Sequence, residues 1–174
     1  MPSSRYNALP LVLDIVTAIQ PKSILDIGVG FGKYGALFRE YLDWWKTDRP
    51  LQERSLRLIG IEVFEAYRNP VWGVYDGVHI GDALTLDVVR EPYDLVFMGD
   101  IIEHFAEEEA HELLDSLNCK HLIIVTTDAF REQEAVYGNV AEIHKSIWAP
   151  ETTQGFQCAH IPPQYVYYKE SGAK

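Results

Sequence analysis

Ser23-Ile24-Leu25-Asp26-Ile27-Gly28-Val29-Gly30-Phe31-Gly32-Lys33 is the stretch that decides how this chain folds. Residues 23–27 form a short apolar run with one acid inside it, the pattern of a buried strand. Glycines at 28, 30 and 32 let the backbone turn sharply and come close to a ligand. From Lys33 the apolar residues recur at 34, 37, 38, 41, 42 and 45, which is the stripe of an amphipathic helix. Strand, glycine turn and helix together open an α/β unit, in which ligands bind beyond the carboxyl ends of the strands.

Working outward, apolar residues at 12, 15, 16 and 19 predict a helix within the first 20 residues, ended by Pro21. Residues 47–50, Thr-Asp-Arg-Pro, read as a loop. Further strands are predicted at 56–61, 78–80, 93–98 and 122–125, with an amphipathic helix over 106–118. Two last strands, 156–161 and 165–169, flank Pro162-Pro163 and are joined by a short connection. Strands alternating with helices predict an α/β domain built on a parallel sheet, on which a late antiparallel strand is permitted.

The chain has 174 residues, a length that suits a single domain over 1–174. Hydrophobic residues make up 47% of it, enough for one sizeable core. With 26 acidic residues against 15 Lys and Arg, the net charge is −11, which argues against non-specific binding to nucleic acid or anionic membrane. Cys119 and Cys158 share no short spacing and form no thiolate metal site, so a reducing cytoplasm is the expected location. No apolar run approaches the ~20 residues of a membrane helix. The first five residues, Met-Pro-Ser-Ser-Arg, do not read as a signal peptide.

Each of the first four strands carries an acid at its end. Asp26 precedes the glycines, Glu62 follows the second strand, Asp82 the third and Asp100 the fourth. If the strands are parallel, these carboxylates converge on one edge. Such a pocket suits a ligand rich in donors and positive charge, such as a ribose diol, an amine or a sulfonium, and it suits a polyphosphate poorly. A P-loop needs four residues before its Gly-Lys pair, but only three separate Gly28 from Gly32-Lys33, and Tyr34 replaces the Ser or Thr. Gly30-Phe31-Gly32-Lys33-Tyr34-Gly35 matches G-x-G-x-x-G literally, so a nicotinamide oxidoreductase is an alternative. Its acid should follow ~20 residues later, however, and Glu62 lies well beyond that.

The sequence resembles the class I S-adenosylmethionine-dependent methyltransferases over nearly its whole length. The resemblance rests on residues 24–32, Gly60-Ile61-Glu62, Gly81-Asp82-Ala83-Leu84, the run 94–104 ending in Glu103-His104, and residues 122–127. The segment Gly138-Asn139-Val140-Ala141-Glu142-Ile143-His144 with Trp148 is similar to a stretch after the fifth strand of some bacterial members. The resemblance implies a Rossmann-like, seven-stranded, mostly parallel sheet with one antiparallel C-terminal strand and helices on both faces. It implies S-adenosylmethionine as cofactor. Gly28, Gly30 and Gly32 would carry the methionine moiety, Asp26 its amino group, Glu62 with Val63 the ribose, and Asp82 with Ala83 the adenine. The Glu-His pair resembles the small-molecule branch of the family, and the Asn/Asp-Pro-Pro-Tyr/Phe tetrapeptide of DNA amino-methylating enzymes is absent: Gly99-Asp100-Ile101-Ile102 stands there instead.

The expected activity is therefore methyl transfer to a small molecule. An accessory protein that binds the cofactor without turnover is a further alternative. Asp100 is expected at the pocket mouth as a cofactor or substrate contact, with His104 one helical turn on and His144 over the acceptor, as candidate bases. The N-terminal helix and residues 128–155 are expected to cover the substrate, with Phe130, Tyr137 and Trp148 as possible walls. His104, Glu108 and His111 share one helix face at i, i+4 and i+7, but the neighbouring glutamates mark that face as solvated, and no metal is expected. Trp44 and Trp45 end a helix and are compatible with a homodimer contact.

Overall fold

A computed structural model of the protein describes residues 3–45 and 53–171, so the loop expected at 47–50 lies outside the described residues. Seven strands form one sheet: β1 (Ser23–Ile27), β2 (Arg57–Glu62), β3 (Gly77–Ile80), β4 (Pro92–Gly99), β5 (Asn118–Thr127), β6 (Gln157–Ile161) and β7 (Gln164–Glu170). Their order is β3-β2-β1-β4-β5-β7-β6. The first five are mutually parallel, and β7 runs antiparallel to both β5 and β6. The chain moves outward from β1 through β2 to β3, then returns to the other side of β1 as β4. That reversal opens a crevice at the carboxyl ends of β1 and β4.

Side-chain alternation divides the core into two layers. Ile24, Leu95 and Phe97 pack with α1 (Leu9–Ile19) and α2 (Lys33–Arg39) on one face. Leu25, Ile27, Val96 and Met98 pack with α3 (Glu107–Ser116) on the other. Asp26 lies two residues from Ile24, so its carboxylate points into the α1/α2 layer.

Three elements differ from the sequence reading. The helix expected to run from Lys33 through 45 is α-helical only to Arg39 and continues as a π-turn over Glu40–Trp44. Within that turn Asp43 is fully buried against Arg39, and its carboxylate accepts from Ser55 N at 2.8 Å and from the Ser55 hydroxyl at 2.7 Å. Local polar pairing thus overrides the regular helix period. β5 extends to ten residues because β4 and β7 bond to it on both sides, which carries the ladder past its apolar centre into Lys120 and His121. His104 is absent from α3. It closes a separate 3-10 turn, Ile102–His104, and extended Ala106 resets the chain before the helix begins. His104, Glu108 and His111 therefore share no helix face.

Candidate functional site

The glycine turn is tied to β2. The amides of Gly28 and Val29 both donate to the Ile61 carbonyl, at 2.9 and 3.1 Å. Gly28 has φ +82°, and a Cβ there would lie 2.1 Å from Ile101 Cδ1. Backbone freedom and lack of space both demand glycine at this position. Gly30 donates its amide to Glu62 Oε2 at 2.8 Å and accepts from the Trp72 indole at 2.9 Å. Glu62 closes β2, and its other oxygen accepts from Phe64 N at 2.9 Å. Its carboxylate thus props the turn from below while also lining the cleft. Burial pushes its pKa up, and the Phe64 and Gly30 amides pull it part of the way back.

Asp26 lies beneath the same turn. Its Oδ2 accepts from the Tyr75 hydroxyl at 2.5 Å. Burial raises its pKa to about 7, with the Tyr75 hydrogen bond opposing the shift and the charge of Glu62 adding to it. Asp82 is exposed at the far side of the cleft, where Oδ1 accepts from Leu84 N at 3.0 Å. Ala83 beside it is buried, while Val63 is half-exposed on the rim.

Across the cleft stands a second group. Asp100 has φ +53°, and its amide donates to Val125 O at 2.8 Å. Gln164 at the start of β7 donates one amide nitrogen to both Asp100 oxygens, at 2.9 and 3.0 Å. Burial raises the Asp100 pKa, and hydrogen bonds from Gln164, the Ser4 side chain and the Arg5 backbone lower it. Lys33 Nζ donates to the Ser4 carbonyl, so the residues preceding α1 lie across the cleft mouth, with Ser3 and Ser4 among its lining. The Glu103 carboxyl is buried below Asp100 and accepts from the Thr126 hydroxyl at 2.9 Å. Burial and the charge of Asp100 push its pKa up.

His104 and His144 meet edge-to-face, with ring centroids 4.9 Å apart. Burial favours the neutral form of both rings, and His144 further lowers the pKa of His104. The segment 128–155 runs over this end. Lys145 N and Ser146 N donate to the Glu103 carbonyl at 2.8 and 3.2 Å, and Tyr67 Oη donates to Glu142 at 3.0 Å. Asn139, Ala141, Glu142 and Lys145 from this segment line the cleft, whose volume is about 1070 Å³ including its open mouth. Trp148 instead lies in the core beside His111, while Phe130 and Tyr137 are exposed outside the lining.

The structure thus brings Asp26, Gly28, Gly30, Glu62, Val63, Asp82, Ala83, Asp100 and His104 to one cleft. Gly32 sits behind it as the N-cap of α2, and His144 touches the cleft through His104. Sequence reasoning missed Ser4 and Gln164, which carry no motif and reach Asp100 only through folding. Glu103 has no role assigned from the sequence, although an acid next to the strand-end histidine is a usable signal.

No family model matches the sequence, and no curated protein is similar to it at the sequence level. The fold has many solved counterparts. The methyltransferase domain of bacterial CtHen1 superposes with a TM-score of 0.63 at 16% identity, covering 95% of this chain and 98% of that one. An O-methyltransferase family protein from Burkholderia thailandensis gives a TM-score of 0.65 at 12% identity, with 95% of this chain spanning 56% of that one. The 1,6-didemethyltoxoflavin-N1-methyltransferase of the same organism, solved with S-adenosylhomocysteine, gives 0.63 at 14% identity, covering 94% of this chain and 78% of that one. The architecture is therefore the Rossmann-like fold of the class I methyltransferases: a seven-stranded, mostly parallel sheet closed by an antiparallel C-terminal strand.

Proposed function

We propose that the protein binds S-adenosylmethionine in this cleft and transfers its methyl group to a small acceptor held at the Asp100 end. The observation that carries the reading is the charge of the lining. Asp26, Glu62, Asp82, Asp100, Glu109 and Glu142 face the cleft against two lysines, Lys33 and Lys145. Six acidic side chains against two lysines make the cleft acidic, which disfavours a pyrophosphate and favours a cationic nucleoside.

The residues present fit that cofactor. The glycine turn offers close backbone approach, and a Cβ at Gly28 would close it. Asp26 and Glu62 provide anionic oxygens for an ammonium and for ribose hydroxyls. Glu62 has acceptor capacity left after its two backbone bonds. The free oxygen of Asp82, with Ala83 beside it, suits an adenine amine. S-adenosylmethionine supplies an activated methyl group, so the protein mainly has to align an acceptor with reacting atoms ~3–3.5 Å apart. The strap of residues 3–8 and segment 128–155 exclude water and hold that acceptor. Asp100, His104 and His144 stand where a proton released by a hydroxyl or ammonium acceptor would be taken up. A small acceptor suits a cleft straddled on both sides, and the net charge of −11 disfavours nucleic acid. No helix among the described residues is long and apolar enough to cross a membrane, and cytoplasmic location is part of the same proposal.

Thermal shift with S-adenosylmethionine, S-adenosylhomocysteine, NAD and ATP tests this reading. The two sulfur nucleosides are expected to stabilise the fold, by ~2.7 kcal/mol at a hundredfold excess over Kd. Stabilisation by NAD alone would assign the cleft to hydride transfer. Binding of the methyl donor without label transfer to any fraction of a cell extract would reduce the protein to a cofactor-binding accessory.

A further inference from the structure

We propose that Glu103, His104 and His144 form a binding site for one divalent transition-metal ion at the acceptor end of the cleft. Their ligand atoms lie within 4.8 Å of one another, although the residues come from the turn after β4 and from a loop 40 positions later. Coordination at ~2.1 Å needs ligand atoms ~3–3.5 Å apart, which small side-chain rotations supply.

The surroundings of the three residues suit ligation. The His104 Nδ1 lies 3.3 Å from the Ile143 carbonyl, so it carries the proton and leaves the Nε2 lone pair free. The His144 Nδ1 is buried with no hydrogen-bond partner among the described residues. An orphaned nitrogen on a ring that meets a second histidine, with a buried carboxyl in the same cluster, is an unmet demand for a cation. Glu103 is held in turn by the Thr126 hydroxyl at 2.9 Å, the kind of outer support that orients ligating carboxylates. Asp100, on the cleft side, adds negative charge.

Two imidazoles and one carboxylate on a single side select Mn²⁺, Fe²⁺, Co²⁺ or Zn²⁺ over Mg²⁺ or Ca²⁺ and leave positions open toward the cleft. His104 lines that cleft, so the open positions would take an oxygen donor such as a hydroxyl, diol or carboxylate. The inference deepens the methyl-transfer reading by naming an oxygen-bearing acceptor. The two histidines then act as ligands and not as free bases.

Chelator-treated full-length protein titrated with Mn²⁺, with no methyl donor present, is the test. Loss of the free-ion EPR signal is expected to show about one equivalent bound, and pulsed EPR of that species is expected to show nitrogen couplings from two imidazoles. H104N and H144N should each weaken binding at least ~10-fold, while H111N leaves it unchanged; circular dichroism melts identify any variant that has not folded. If folded wild-type protein leaves Mn²⁺ free and gives no cobalt absorption band with millimolar Co²⁺, the site does not exist. Bound Mn²⁺ without nitrogen couplings overturns it equally. A parallel titration of the chelated protein with S-adenosylhomocysteine separates the two readings, because its failure refutes the cofactor and not the metal.

Discussion

The two ends of the cleft are built in different ways. At the β1–β3 end, the groups that shape the pocket lie within strand-end motifs and are held by the adjacent strand or by their own turn: Gly30 by Glu62 and Gly28 by Ile61 of β2, Asp82 by Leu84 two residues on. At the β4–β5 end, Asp100 is held by Gln164, 64 positions away, and His104 meets His144 across 40 positions. The first end resists change through backbone geometry. The second depends on side chains from three separate segments converging. On the proposed reading the first end would hold the cofactor and the second the acceptor.

Asp26 gives the largest expected effect, and it belongs to the first end. Its folded pKa of about 7 lies above its unfolded value of 3.8. The folded state therefore holds the proton more tightly, and the associated stability is complete below pH ~4 and lost as pH rises to ~7. The full span corresponds to about 4 kcal/mol as an upper figure. Urea unfolding should show this decline in the wild type and its disappearance in Asp26→Asn. An ammonium-bearing ligand favours the carboxylate, so S-adenosylmethionine affinity should rise with pH toward 7. Calorimetry at pH 6 in buffers of different ionisation enthalpy should detect proton release on binding.

Gly28→Ala attacks the boundary between the two ends, because the added methyl meets Ile101 and the backbone has positive φ. Strain and overpacking together are expected to cost about 2–4 kcal/mol in chemical denaturation. Pairing it with Ile101→Ala should restore part of that loss, and a purely local turn effect would leave it unrestored. Asp82→Ala is expected to leave stability within about 0.5 kcal/mol, because the side chain is exposed. It should weaken methyl-donor binding by about 1.5–3 kcal/mol in calorimetry.

Tyr67→Phe gives the smallest effect and tests whether the ends communicate. It removes the hydroxyl that Tyr67 donates to Glu142 but keeps its ring contacts with Phe31 and Phe64. A loss of about 0.5–1.5 kcal/mol is expected. Hydrogen exchange should rise in residues 136–143 and stay unchanged in the glycine turn. A rise in both would mean that the two ends open as one unit.

Much of the first end was legible in the sequence, because glycine spacing and strand-end acids are local signals. Glu62 was legible as a strand-end acid, but its double role as a prop for Gly30 was not, since nothing in the local pattern shows which amides face a carboxylate. The helix after Lys33 misled for a similar reason: its apolar stripe continues, yet Asp43 turns inward to Arg39 and shifts the last turn to π geometry. His104 misled more. Four residues from Asp100 and seven from His111, it reads as helical, but extended Ala106 separates it from α3 and turns it toward His144.

By itself the sequence determined the alternation of strands and helices, the glycine turn and the acids at the strand ends, because strand and helix periodicities and backbone freedom act over a few residues. The tertiary structure alone decided that Gln164 grips Asp100, that the residues before α1 cross the cleft mouth, and that Glu103, His104 and His144 come together. Those contacts join segments whose approach depends on sheet order and on the antiparallel return of β7, and no local pattern encodes a distance between residues that only packing brings within reach.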